Sequence, residues 1–204
     1  MIIEGIVTTL DLNGEANISP MGPVLDLPRQ TIEFRPFAGS RTLANLLARP
    51  MGVFHLTDDA LLIAQAVTKR WVEPPLLERA TEISGWIFPA ACSWHEFKCG
   101  FVEQFSNRAT VKANIVASGR GPDFGGFNRA KHAILEAAVM VSRLDFLPLP
   151  EIELALQNAG RLCDKTGSSR ERLALEVLQA FVNAHEASDT GSSEPAASSM
   201  DDAQ

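Results

Sequence analysis

Apolar and polar positions alternate at strand spacing through most of the first 120 residues and recur at helical spacing after them. Ile2–Leu10 is apolar and β-branched and predicts a strand. Asp11-Leu12-Asn13-Gly14 predicts a turn, with Asn13-Gly14 the hairpin signal, and Glu15–Met21 the returning strand. Thr31–Arg35 alternates and predicts a strand with one buried face. Ser40–Arg49 predicts a short helix with Ser40 as N-cap, Leu43, Leu46 and Leu47 on one side, and Pro50 as the stop. Met51–Leu56 predicts another strand, and Asp58 or Asp59 caps a helix running to Thr68. Glu82–Phe105 carries Trp86, Phe88, Trp94, Phe97 and Phe101 and predicts one or two long strands. Arg108–Ser118 predicts a further strand, with Val111, Ala113, Ile115 and Ala117 in phase. After the glycine-rich loop Gly119–Gly126, three segments have helical periodicity: Phe127–Leu144, Glu151–Lys165 and Ser169–Ala187. Pro148, Pro150 and Gly167-Ser168 separate them.

Strands first and helices last imply an α+β chain with segregated helices. A hairpin and long antiparallel partners point to a small barrel or strongly curled sheet. The expected division is a barrel over 1–125, a helical part over 126–187 packed on it, and a tail over 188–204. The tail is rich in Ser, Glu, Ala and Asp and has no apolar period, so it is expected to be disordered.

Charge and cysteine content narrow the function. The net charge is −7, which argues against a non-specific nucleic-acid binder. No apolar run approaches the roughly 20 residues needed to span a bilayer. MIIEGIVTTL contains Glu4 and has no cationic leader, so it does not read as a signal peptide. Cys92, Cys99 and Cys163 are sparse and odd in number, without CxxC spacing. They read as packed thiols in a reducing cytoplasm, not as a disulfide framework or a zinc site.

Two segments could carry chemistry. Gly39-Ser40-Arg41-Thr42 places two hydroxyls and a guanidinium in the first turn of a helix, where free N–H groups attract anions. Arg35 on the incoming strand could add a second cation. The plain reading is an N-cap with solvated arginines. Asn17-Ile18-Ser19-Pro20-Met21-Gly22-Pro23 lacks donors at its two prolines, so it belongs at a sheet edge. Gly22 would let a flat ligand approach the backbone, and Ser19 with nearby N–H groups could bond its rim. The plain reading is a Pro/Gly turn. On Phe127–Leu144, Arg129, His132, Glu136 and Arg143 share one face. That face is either a polar stripe at a ligand mouth, with His132 a candidate acid/base, or the solvated side of an amphipathic helix. His55 and His95 read as structural or surface groups, His185 as solvent-facing, and the aromatic run as core or dimer contact.

In this order, IIEGIVTTL, NGEANISPMGP, FRPFAGSRTLANL, HLTDDALL and FNRAKHAILEAAVMVSRL resemble domain-of-unknown-function family 447. That family lies within the flavin-reductase-like FMN-binding split barrels, and the resemblance spans roughly Ile2 to Leu144. It implies an FMN-binding split β-barrel with C-terminal helices. Asn17, Ile18, Ser19, Pro20, Met21 and Gly22 would lie along the isoalloxazine; Ser40 and Thr42 would hold the phosphate, with Arg35 and Arg41 beside them. It further implies a homodimer with the flavin pocket at the two-fold seam, and a flavin-dependent oxidoreductase with a possible link to pterin-dependent one-carbon metabolism. A non-catalytic protein that binds flavin or deazaflavin is the alternative.

Overall fold

The computed structural model describes residues 1–191, with side chains to 187. Its order is β1 (Gly5–Leu10), β2 (Ala16–Met21), β3 (Val24–Asp26), β4 (Thr31–Phe34), α1 (Arg41–Ala48), β5 (Met51–Leu56), α2 (Ala60–Thr68), β6 (Glu78–Arg79), β7 (Trp86–Ile87), β8 (Ser93–Gln104), β9 (Ala109–Arg120), α3 (Arg129–Val141), α4 (Leu149–Thr166) and α5 (Ser169–Gly191). Seven strands form one antiparallel sheet in the order β2-β1-β5-β8-β9-β4-β3, and β6 and β7 make a separate ribbon.

The hairpin joining β1 to β2 turns on Gly14, at φ +84°, where a side chain would be strained. Asp11 holds the turn by accepting from the N–H groups of Asn13 and Glu15. The segment before β1 reaches across to β3, the far end strand of the sheet. Ile2 bridges Val24, the Ile3 N–H donates to the Pro23 carbonyl, and the Leu25 N–H to that of Met1. Register shifts at Glu96/Phe97 and Cys99/Phe101 bend β8 and let the sheet curl. Trp94 lies opposite Gly119, where a Cβ would stand 2.1 Å from the indole.

All six residues of β1 are buried, and successive ones serve two cores. Val7 joins Ile32, Phe34, Leu46, Phe54 and Phe97 inside the barrel. Phe34 meets Phe97 at 4.8 Å and Phe54 edge-on at 6.2 Å. Ile6 joins Leu61, Phe88, Ile134, Ile152 and Leu178 in a second core beneath the helices. A strand buried on both faces reads as a near-continuous apolar run, as Ile2–Leu10 does.

Several expected elements differ in detail. The span 82–105 is broken. The Phe88 N–H donates to His55 Nε2 instead of to a strand, Pro89 has no N–H, and the chain turns before β8 begins. Of the two cap candidates, Asp59 is the one that caps α2, as expected, accepting from the N–H groups of Leu61 and Leu62. Leu47 does not share the buried side of α1 with Leu43 and Leu46 but is 51% exposed. Short β3 and β6 carry no pattern long enough to announce them. The chain from Ser188, expected to be disordered, lies outside the described residues except for the end of α5, which runs to Gly191.

Candidate functional site

The start of α1 is built from its neighbours. Gly39, at φ +77°, turns the chain into the helix, and Ser40 caps it by accepting from the Leu43 N–H at 3.2 Å. Thr42 is 3% exposed. Its Oγ1 accepts from Asn17 Nδ2 at 3.1 Å, and the same amide lies 3.3 Å from Ser19 Oγ and 3.5 Å from Thr9 Oγ1. With two protons, that amide serves two of the three, and Thr9 is better supplied by Asn45 at 3.0 Å. Asn17 thus fastens the edge strand β2 to the first turn of α1.

A cavity of about 460 Å³ opens where these elements meet α2 and α3. Its lining combines the hydroxyls of Ser40 and Thr42 and the cations Arg35, Arg108 and Lys69 with apolar Met21, Ile63, Ala66, Val67 and Leu135. Glu4 and Arg143 lie among the remaining lining groups.

The candidate residues fall into three groups. Ser19, Pro20, Met21, Gly22, Arg35, Ser40 and Thr42 line the cavity together. Asn17 and Ile18 stand behind the lining: Asn17 through its amide, Ile18 packed on the helical core with its carbonyl turned to Lys69. Arg41 points to the β1–β2 turn, with Nη2 3.1 Å from Asp11 and 3.9 Å from Glu15. Arg35 lines the cavity but already pairs with Glu33, at 3.2 Å through Nε and 3.0 Å through Nη2.

Three lining groups escaped the sequence reading. Lys69 follows α2 in the left-handed region, at φ 57°, ψ 19°, where glycine is the usual helix cap. Its Nζ donates to the Ile18 carbonyl and, at 3.2 Å, to Ser19 Oγ. The residue counts as exposed overall, yet desolvation of its ammonium, with Arg41 nearby, pulls the pKa down to about 8. Arg108 donates to the Arg35 carbonyl at 2.9 Å and lies 3.9 Å over the Phe37 ring. Glu4 lies against Gly22, and burial, reinforced by Glu136 and opposed by Arg143, holds its carboxyl above the usual range. Lys69 is 50 residues from Ser19 and Arg108 is 73 from Arg35, so no local pattern could have joined them.

The other candidates play structural parts. Arg129, His132 and Glu136 are exposed on α3, and of that polar face only Arg143 lines the cavity. His55 is fully buried; its Nδ1–H donates to the Ile6 carbonyl at 3.2 Å and its Nε2 accepts from Phe88. Burial pulls its pKa down to about 3. His95 is 6% exposed and shares a 2.8 Å contact with Ser118 Oγ. His185 Nε2 lies 3.2 Å from Asp145. Cys92 is half-buried in the turn before β8, 3.8 Å from Asp58 Oδ1.

A curled antiparallel sheet whose edge strand and first helix open on one cavity is the split barrel of the FMN-binding, flavin-reductase-like proteins. Solved structures share this fold. The chain is similar to an FMN-bound protein from Methanosarcina mazei, with a TM-score of 0.77 and 22% identity over 88% of this chain and 94% of that one. It is also similar to the styrene monooxygenase flavin reductase of Pseudomonas putida S12, with TM-score 0.50 and 15% identity, over 57% of this chain and 77% of that one. The 2-nitrobenzoate 2-nitroreductase of Pseudomonas fluorescens gives TM-score 0.50 and 19% identity, over 57% and 64%. The chain belongs to the protein-of-unknown-function family DUF447: the family's N-terminal domain matches residues 3–121 and its C-terminal part residues 128–180. No curated protein matches it.

Proposed function

We propose that this chain binds FMN in the α1 cavity and acts as a flavin-dependent oxidoreductase, working as a homodimer in the cytoplasm. The observation that carries the reading is that hydroxyls, cations and apolar side chains line one and the same cavity at the start of α1. Hydroxyls and cations suit a terminal phosphate and apolar side chains a flat ring system, and the volume is in the range of small-molecule sites. The FMN-bound relative from Methanosarcina mazei has the same fold.

FMN, when bound, supplies electron or hydride transfer. The chain's own groups have other tasks. Ser40, Thr42 and the N-terminus of α1 present donors to an anion. Ser19 and the turn at Gly22 offer a polar rim and close backbone approach, and α3 lines the cavity with Leu135 and Ala138. A link to pterin-dependent one-carbon chemistry is carried by the family resemblance alone.

Exposed Phe101, Phe105 and Val116 on or beside β8 and β9 support the homodimer, since a second copy can cover them. For a cytoplasmic setting the support is the three free thiols. Among the described residues no helix is long and apolar enough to cross a membrane.

The test is the absorption spectrum of the purified protein and of its released cofactor, followed by an FMN titration. Yellow protein, or saturable quenching of FMN fluorescence at micromolar concentration, is expected. A colourless protein that leaves FMN fluorescence and anisotropy unchanged would overturn the reading, and a deazaflavin spectrum would replace FMN. Steady-state oxidation of NADH or NADPH with added acceptors then separates an oxidoreductase from a protein that only binds flavin.

A further inference from the structure

We propose that Lys69 is the cation that selects phosphate-bearing ligands in this cavity; the assignment rests on the flavin reading above. Four other basic groups lie nearby, and each is already engaged. Arg35 is bonded twice to Glu33. Arg41 turns away to Asp11 and Glu15. Arg108 is held by the Arg35 carbonyl and the Phe37 ring. Arg143, at the end of α3, is attracted to Glu4. Among the described residues Lys69, Arg108 and Arg143 have no carboxylate within 4.0 Å, but Arg108 is stacked over the Phe37 ring and Arg143 feels Glu4. The Lys69 Nζ, by contrast, touches only neutral acceptors, the Ile18 carbonyl and Ser19 Oγ, on the strand that Asn17 fastens to the start of α1.

The ammonium is also wired to the helix start. Ser19 Oγ accepts from both Lys69 and Asn17, and Asn17 donates to Thr42 Oγ1. A phosphate at the N-terminus of α1 would therefore meet hydroxyls on one side and an unneutralised ammonium close by. The backbone at Lys69 adds an independent sign. Glycine would occupy its left-handed conformation without penalty, yet the position holds a long cationic side chain aimed into the cavity.

Desolvation and the repulsion of Arg41 leave Lys69 partly deprotonated near pH 8. The remaining charged groups of the cavity are Arg35 beside β4, Arg108 before β9, Glu4 before β1 and Arg143 after α3. None is a carboxylate in contact with Lys69, so an arriving dianion is the counter-charge that would restore its proton. FMN binding at pH 8 should then take up as much as about half a proton, whereas riboflavin, without a phosphate, should take up none.

The experiment compares the unaltered chain with K69R and K69G. K69G removes the cation while suiting the backbone, so its melting temperature should hold or rise. It should weaken FMN by roughly tenfold to a hundredfold and riboflavin by less than about threefold. Calorimetry at pH 8 in buffers of different ionisation enthalpy should show proton uptake with FMN in the unaltered chain, and none in K69G or K69R. K69R, charged throughout, should retain most of the FMN affinity. Equal losses for FMN and riboflavin in K69G, or proton uptake that persists in K69G, would overturn the assignment while leaving flavin binding intact. If the unaltered chain fails to bind FMN at all, the flavin reading falls and takes this assignment with it.

Discussion

Ser40 and Thr42 share one turn but are held differently. The Ser40 hydroxyl accepts a helix N–H, whereas Thr42 is buried and accepts from Asn17. Replacing both by alanine should remove about two donors from a bound phosphate and weaken FMN by roughly tenfold or more, with a smaller effect on riboflavin. Part of the change will appear as stability, because the loss of an N-cap costs about 1 kcal/mol. Fluorescence titration with both ligands, beside a melting curve, separates the two. His55 makes a different prediction. Its pKa is about 3 in the fold against 6.5 unfolded, so the unfolded chain binds the extra proton. Stability from this group is complete above pH 6.5 and is lost as pH falls from there towards 3. Urea unfolding should therefore show a decline approaching about 1.4 kcal/mol per pH unit between pH 6.5 and 4.5 that His55→Gln lacks. Parallel pH profiles for the two proteins would refute it.

Elements with a complete local signal were legible in the sequence. Met51–Leu56 is β5 to the residue, bounded by Pro50 and the acidic cap of α2. The Asn13-Gly14 turn, the Ser40 cap and the three late helices follow in the same way, because caps and glycines act over a few residues. What was missed depends on partners far along the chain. The break before β8 exists because His55 takes the Phe88 N–H, and the cavity's cations arrive from α2 and from the approach to β9. Glu96 is another long-range device. It is 1% exposed on β8, and its carboxylate accepts from Thr81, Glu82 and Ile83, pinning the chain between β6 and β7. Burial opposes its ionisation, but these hydrogen bonds outweigh that and hold the pKa below the usual value. Its stabilisation is present above the unfolded pKa and lost as pH falls through the folded one. Glu96→Gln should cost about 1–3 kcal/mol at neutral pH, with the gap to the unaltered chain narrowing as pH drops below 4.5. Denaturant melts at neutral and acidic pH provide the check, and a constant gap would argue against the ionised form as the source.

For the whole molecule, assembly and cofactor should be linked if the flavin pocket lies at a two-fold seam. Dilution that separates subunits should then release FMN in parallel. Sedimentation at several concentrations, followed at protein and flavin wavelengths, tests this; a flavin-loaded species of monomer mass would place a complete site within one chain.

Asp58 and Asp59 sit side by side on the turn before α2, and each reaches a different late helix. Asp58 meets Lys131 at 2.8 Å and the Gly125 N–H at 3.1 Å, while Asp59 meets Arg170 at 2.6 Å. The family boundary falls between residues 121 and 128, so both ion pairs cross it. What is separable as text is thus riveted as an object: α2 belongs to the first segment by sequence and to the second by attachment. A gene cut at that boundary would give a barrel without the α3 wall of its cavity and with Leu61 and Ile6 stripped of their cover. The two segments are better regarded as halves of one heritable unit, to be transplanted into another protein together or not at all.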